Sequence, residues 1–479
     1  MLKIERVVFL SLVLDLFAFT IPLPLFPRII EWYTKRESSD PSGFLPRTLY
    51  FVSAVRGLLY KPTSNPQRWD VVLLGEPCCY QSSRFVSPYI GTLSDKYGRK
   101  RVLLVTMIGN ILSAGEFRWV KSTTFASYML SRVVGGLSEG NVQLAVAILS
   151  DVSSPATRAK ALAHVGFAFA ICFCIGPPIG AYFASRPLPP TFTASGIELN
   201  VYATPALITL VLLVLETLFL IVALPETRGK RAHISSVTKE AKKAHSSTEK
   251  SDVQSTTANV TKKPATVEQR LTLLKTLRRL HFLFLGVFSG VEFTLTFLTF
   301  DLFDWNNKQN GALIGSIGVV SALLQGGYVR RAIPKVGEGA MARRGIASCA
   351  LGLVLLSAVP ILAGTRTSTS VQLLRGAAIC LAFTSATVVN SLTSYASLQC
   401  DEGVDEDTGK PLEEHPELAK GKALGKFRSS GQLGRALGPL LACASYWTFG
   451  PSVTYAVSAV AMFALSMGMK SVAVKKTVS

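Results

Sequence analysis

Apolar runs of about bilayer length recur along nearly the whole 479-residue chain, and nothing else in the sequence limits its fold as tightly. A hydrocarbon layer offers the backbone no water, so a spanning segment must satisfy its own N–H and C=O groups, which a helix of about 20 residues does. Hydropathy places such segments at 6–27, 69–92, 102–120, 124–149, 160–184, 200–224, 277–300, 309–331, 343–363, 370–396, 422–448 and 451–470. With 49% hydrophobic and 17% charged residues and a mean hydropathy of +0.36, the composition is not that of a soluble domain. The expected fold is an all-α polytopic membrane protein of about twelve transmembrane helices in two six-helix bundles.

Lysine and arginine number 50 against 30 acidic residues, a formal charge of +20 that in a soluble protein would suggest nucleic acid. Distribution argues otherwise. Lys96, Arg99, Lys100 and Arg101 follow span 2, Arg330, Arg331, Lys335, Arg343 and Arg344 follow span 8, and Lys470, Lys475 and Lys476 follow span 12. The connections after spans 3, 5, 7, 9 and 11 carry few cations. By the positive-inside rule, the termini and even-numbered connections face the cytosol, and no nucleic-acid partner is expected. The first span lacks a small-residue cleavage site and reads as retained. Eight scattered cysteines and five dispersed histidines suggest neither a metal site nor a disulfide framework, and no cofactor is expected.

A polar stretch rich in Lys, Ser and Thr over 228–276 reads as a disordered cytosolic linker between an N-terminal bundle, 1–227, and a C-terminal bundle, 277–479. An acidic insert, 401–416, joins spans 10 and 11. A weak internal repeat relates the halves: span 5 carries Gly176-Pro177 and Gly180, and span 11 carries Gly438-Pro439. These are expected to be helix breaks that let one half rock against the other. Span 2 is interrupted by Glu76-Pro77 and Arg84, and each mid-span charge costs about 3 kcal/mol on insertion scales. Residues 75–84 are therefore either native or the mark of a replaced apolar segment.

Because an ionisable side chain is costly in lipid, one inside a span faces a cavity or a partner. On span 4, Arg132, Glu139 and Gln143 stay within about 40° of one face at 100° per residue, beside Gly135 and Gly136. On span 11, Arg428, Gln432, Arg435 and Pro439 share a face, and on span 7 so do Glu292, Thr296 and Thr299. Arginines on spans 4 and 11 predict a cavity of positive potential that suits carboxylate or phosphate-bearing solutes. Glu292, Glu139 or Asp15 are candidates to bind and release a coupling proton, which arginine cannot do. Glu216 is assigned to packing or to snorkelling toward the interface.

After span 2 the chain reads Gly91-Thr92-Leu93-Ser94-Asp95-Lys96-Tyr97-Gly98-Arg99-Lys100-Arg101. Gly91 permits close helix approach, Asp95 can act on the positive end of a neighbouring helix, and Gly98 permits a tight turn. This run resembles the G-x-L-x-D-x-x-G-R-[KR] signature of the major facilitator superfamily, and Leu224-Pro225-Glu226-Thr227 is similar to that superfamily's usual span 6 ending. Leu14 to Thr20, Ser131-Arg132 to Val142, Glu292 to Thr299 and Arg435 to Leu440 resemble its eukaryotic tetracycline-transporter-like branch. The resemblance implies a major facilitator fold, transport of organic anions or drug-like compounds, and a conformational latch around Gly91, Asp95, Gly98, Arg99, Lys100, Asp151 and Arg158. The span 5 signature of drug antiporters is not matched, since Ala163, Cys172 and Ala181 stand where it calls for glycine.

No phosphate-binding loop, His-Glu-x-x-His or Gly-x-Ser-x-Gly appears, so no enzyme is expected. The expected function is secondary transport of small organic solutes, most of all organic anions, by alternating access, by a monomer in the lipid bilayer. The alternative is a membrane scaffold or sensor that keeps the fold without transporting.

Overall fold

A computed structural model describes residues 3–22, 33, 35–37, 43–59, 85–115, 124–184, 203–227, 266–305, 307–400 and 415–472. The N-terminal half comprises α1 (Ile4–Thr20), α2 (Phe44–Leu59), α3 (85–97), α4 (Arg99–Gly115), α5 (Phe125–Ser138), α6 (Asn141–Val152), α7 (Pro155–Ala184) and α8 (Ala203–Ala223). The C-terminal half comprises α9 (Val267–Phe303), α10 (Asn307–Leu323), a π-helical turn (Leu324–Val329), α11 (Arg330–Val336), α12 (Glu338–Ala363), α13 (Thr367–Gln399), α14 (Lys420–Phe449) and α15 (Pro451–Val472). Every regular element among the described residues is helical, as a bilayer demands. Eight helical segments among them are long and apolar enough to cross a membrane. Of the other expected spans, α1 and α4 have 17 residues each, span 2 is described only from residue 85, and α14 carries a polar face. Residues 75–84, the linker segment 228–265 and the insert 401–414 lie outside the described residues.

Span 4 is not the continuous helix that its hydropathy predicts. It stops at Ser138 and restarts at Asn141, with Glu139 in an extended conformation (ψ 92°) and Gly140 as the next N-cap. Conversely, the two Gly-Pro pairs expected to break their helices do not: α7 runs through Pro177 and Pro178, and α14 through Pro439. The flanking glycines explain their presence through packing. A Cβ on Gly176 would overlap Thr20 and one on Gly180 the Ile21 carbonyl, so α7 lies directly on the end of α1. In the other half a Cβ on Gly438 would overlap the Gly286 carbonyl, so α14 lies equally close to α9. The repeat thus survives as a pair of close helix contacts built on small residues, the usual means of packing helices in lipid.

The helix expected to begin near residue 277 begins at Val267, so 267–276 extend it beyond the apolar run. Its start is set by a capping box: the Thr266 hydroxyl accepts from the Gln269 N–H and the Gln269 side chain accepts from the Thr266 N–H. The halves meet where α10 and α13 pack on α7 and where α14 packs on α6.

Candidate functional site

Between the halves lies a cavity of about 480 Å³, within the range of small-molecule sites. Asp15, Arg132, Glu139, Gln143, Glu292, Arg428 and Arg435, singled out in the sequence by the cost of polar groups in lipid, all line it. Arg132 projects from α5, its Nε donating to the Tyr128 hydroxyl at 3.1 Å and its guanidinium 5.5 Å from the Tyr128 ring centroid. The break in span 4 turns Glu139 toward the other half, where Oε1 accepts from Arg428 Nη2 at 2.7 Å. An ion pair therefore spans the cavity between the halves. Arg435 stands near enough to Glu292 for the two charges to interact.

The restart of span 4 also orients Asn141, which donates from Nδ2 to Asp15 Oδ1 at 2.7 Å and accepts the Thr106 hydroxyl at 3.1 Å. Gln143 differs from its neighbours. Its Nε2 donates to the Ser87 carbonyl at 2.7 Å and its Oε1 accepts the Ser87 hydroxyl, so both ends of the amide are engaged in holding span 2. Of the expected stripe on span 7, only Glu292 reaches the cavity. Thr296 bonds back to the Phe293 carbonyl, and Thr299 is fully buried with its hydroxyl on Asn310 Oδ1 at 2.5 Å.

Three residues not expected from the sequence also line the cavity, and Glu216 lies close to it, beside Asp15. Glu216, assigned to packing, is fully buried on α8 with Oε1 accepting the Ser11 hydroxyl at 2.6 Å, and its charge is within reach of Asp15. His281 lines the cavity and stacks on Phe427 with ring centroids 4.2 Å apart. Gln325 and Asn390 line it from the π-helical turn and α13. Glu216 carried the insertion-cost signal used for the other carboxylates, and the uncharged three carried none.

The second cluster sits at the end of the bundle where α3 meets α4. Asp95 takes two backbone donors from the opposite half: Oδ1 accepts the Gly421 N–H and Oδ2 the Lys422 N–H, each at 2.9 Å. These are the second and third residues of α14, whose N-cap residue, Ala419, has no side-chain acceptor. Asp95 therefore caps that helix from across the interface, where the helix dipole also favours an anion. Gly91 makes the approach possible, since a Cβ there would overlap the Gly421 carbonyl. Arg99 joins Asp95 at 2.7 Å and Asp151 at 2.9 Å, and Lys420 reaches Asp151 at 3.3 Å. Burial disfavours the Arg99 charge, but Asp151 and Asp95 outweigh that and raise its pKa further.

Gly98 turns at φ 102°, a backbone region that favours glycine, and presents the N–H groups of Arg99 and Lys100 to Glu226 at 2.8 and 3.1 Å. Lys100 reaches the Ile221 carbonyl at 2.8 Å. Arg158, fully buried, donates to the Ser150 and Ser153 carbonyls at 3.0 and 3.2 Å and across the interface to Ser397 at 3.2 Å. It thereby gathers carbonyls at the C-terminal ends of α6 and α13, where a cation is favoured. At this end the halves are closed on one another.

A sequence profile described as Major Facilitator Superfamily matches residues 83–404. Among curated proteins, major facilitator superfamily domain-containing protein 10 of Bos taurus is 32% identical over 467 residues, spanning 97% of this chain and 91% of its own. The Mus musculus protein of that name is 31% identical over 458 residues, spanning 95% and 90%. The crystal structure of the human organic anion transporter MFSD10 (TETRAN) superposes with a TM-score of 0.74 at 28% identity, covering 97% of this chain and 98% of that one. The proton:xylose symporter XylE, bound to 6-bromo-6-deoxy-D-glucose, superposes with a TM-score of 0.63 at 14% identity over 98% and 96%, a likeness of fold. A helical bundle with apolar spans, a polar cavity between two halves and a profile match over most of its length make this chain an integral multi-pass membrane protein that belongs to the major facilitator superfamily of transporters.

Proposed function

We propose that the protein is a secondary transporter of small organic anions, working by alternating access with proton coupling, in a membrane whose cytosolic face carries the Asp95 cluster, both termini and the linker. The observation that supports this most is the cavity between the halves, lined by three guanidinium groups, on Arg132, Arg428 and Arg435. A guanidinium keeps its charge in such a place and offers paired donors to a carboxylate. Asp15, Glu139 and Glu292 balance those charges when all three are ionised. An added anion then brings one uncompensated charge into a low-dielectric site, unless a carboxylate takes a proton as it enters. Glu292 suits that exchange: once neutral, it releases Arg435 to the incoming carboxylate. Anion and proton then travel together, and the two halves rock about the site as each conformation binds the pair differently. The human structural relative is described as an organic anion transporter, which agrees with this substrate class.

Uptake of labelled benzoate and other small organic anions into proteoliposomes, with and without an imposed proton gradient, tests the reading, with glucose and tetraethylammonium as controls. Gradient-stimulated anion uptake that falls at least about tenfold in Arg132→Ala and Arg435→Ala, with folding intact, is expected for loss of a charged hydrogen bond. Unchanged uptake in both variants overturns the cavity assignment, and absence of any flux from well-folded protein favours the scaffold.

A further inference from the structure

The charged residues account for one end of a solute, but the cavity also has an uncharged polar wall. In the C-terminal half, α10 passes into a π-helical turn over Leu324–Val329 before α11 begins. Such turns rotate side chains out of the helical register and recur at functional sites. Its second residue, Gln325, lines the cavity, is 4% exposed and leaves Oε1 without a hydrogen-bond partner, while its Nε2 reaches only the Ser321 hydroxyl at 3.3 Å. Asn390 lies beside it on α13, its Nδ2 held weakly by the Ala386 carbonyl at 3.4 Å. Both amides press against α7 of the other half, where a Cβ on Gly166 would overlap each of them.

Two side-chain amides from one half, converging on a glycine of the other, form a small neutral patch at the interface that alternating access must open and close. A buried amide with an unfilled position is costly to maintain, and in a solute cavity a polar group of the solute can fill it, in place of water. A carboxylate is a poor match, because the described contacts of the two amides, with Ser321, Ala386 and Gly166, include no cation. A group carrying both a donor and an acceptor, such as a secondary amide or a hydroxyl, matches side chains that offer both.

We infer that Gln325 and Asn390, which close on Gly166 of the other half, form a neutral subsite that selects organic anions bearing an amide or hydroxyl group. This rests on the transport reading above, and it narrows the substrate class to amphiphilic anions with a second, uncharged polar group. Hippurate and 4-phenylbutanoate test it. Both carry a phenyl ring and a carboxylate at the same chain length, and only hippurate has an amide between them.

Binding to the purified full-length protein is read as thermal stabilisation across a concentration series, and flux as uptake into proteoliposomes. The wild-type protein is expected to bind hippurate about tenfold more tightly than 4-phenylbutanoate, the usual scale for a buried hydrogen bond left unmade. Gln325→Leu and Asn390→Leu should bring the ratio to within about twofold, chiefly by weakening hippurate, and Gln325→Asn should keep part of the preference. Wild-type protein that binds the two anions equally, or binds neither, overturns the subsite, as does a ratio that survives in both leucine variants. If one leucine variant does not fold, the other carries the same expectation. A binding preference for hippurate without uptake of either anion overturns the transport reading and leaves the subsite standing. Equal uptake and equal binding do the reverse.

Discussion

Replacing Asp95 with alanine removes a helix cap that belongs to the opposite half of the molecule. Its carboxylate accepts the N–H groups of Gly421 and Lys422, each at 2.9 Å, and Ala419 has no side-chain acceptor to take its place. Hydrogen bonds to a charged group contribute about 1.5–3 kcal/mol each, and a cap is worth about 0.5–2 kcal/mol. The Asp95 side chain is 19% exposed, so water recovers part of this, and a total of about 2–4 kcal/mol is reasonable. Arg99 keeps Asp151 at 2.9 Å, so the substitution leaves no unpaired cation to confuse the result. At about 1.4 kcal/mol per factor of ten, closure at this end should weaken by roughly 30- to 700-fold. Hydrogen–deuterium exchange read by mass spectrometry reports it directly, since these two amides are protected only while the halves are closed. Exchange at Gly421 and Lys422 should speed up by that factor, with α12 unaffected as an internal reference. Asp95→Asn, which retains one acceptor and loses the charge, should fall between. Exchange in Asp95→Ala within about threefold of wild type would refute the assignment of Asp95 as a cap across the interface.

Other outcomes follow from the same geometry. Gly91→Ala sets a methyl group against the Gly421 carbonyl, backbone against backbone, so it should hold this end ajar, accelerate the same amides and lower flux at least about tenfold without unfolding the bundle. Glu139→Gln strips Arg428 of its partner; with side chains 33% and 19% exposed, the cost should be about 1–3 kcal/mol in a denaturation titration, and Glu139→Arg with Arg428→Glu should recover most of it. Glu417 is held at a pKa of about 2, first by a hydrogen bond from Lys422 and then by one from Lys426. Its folded-state pKa is depressed, so this stabilisation is fully present above the unfolded value near 4.3 and is lost as pH falls toward about 2. Because the carboxylate is 40% exposed, the effect should stay below about 1 kcal/mol, and Glu417→Gln should lower stability at pH 6–8 by up to that amount, make no difference near pH 2, and so flatten the acid limb of a stability–pH curve.

The architecture was legible because a bilayer tolerates few solutions. Long apolar runs must become helices whatever their neighbours, which is why hydropathy alone located segments such as Thr204–Ala223 and Glu338–Ala363. The same economy exposed the cavity: six ionisable residues chosen for their cost in lipid, and Gln143 on the Arg132 face of span 4, converge on one space. The run from Gly91 to Arg101 was readable too, because it resembles a known signature and a glycine at φ 102° is a local requirement, although the helix start that Asp95 caps lies 326 residues away.

Tertiary structure decided what depends on partners far apart in the chain. Hydropathy could not see that span 4 breaks at Glu139, because a break exposes polar backbone that only a lined cavity makes tolerable, nor that this break delivers Glu139 to Arg428, 289 residues away. It read the Gly-Pro pairs as breaks, whereas the helices continue and the glycines serve the contacts of α7 with α1 and of α14 with α9. Glu216 stood out as a charge, yet only packing revealed that it is sealed behind Ser11 near Asp15. Gln325 and Asn390 did not stand out at all, since neither is ionisable and neither lies within about 40° of a charged residue on its own span, and only the approach of Gly166 from the other half brings them together. The cost of a single residue in lipid is a property of the sequence, whereas the identity of its partner is a property of the fold.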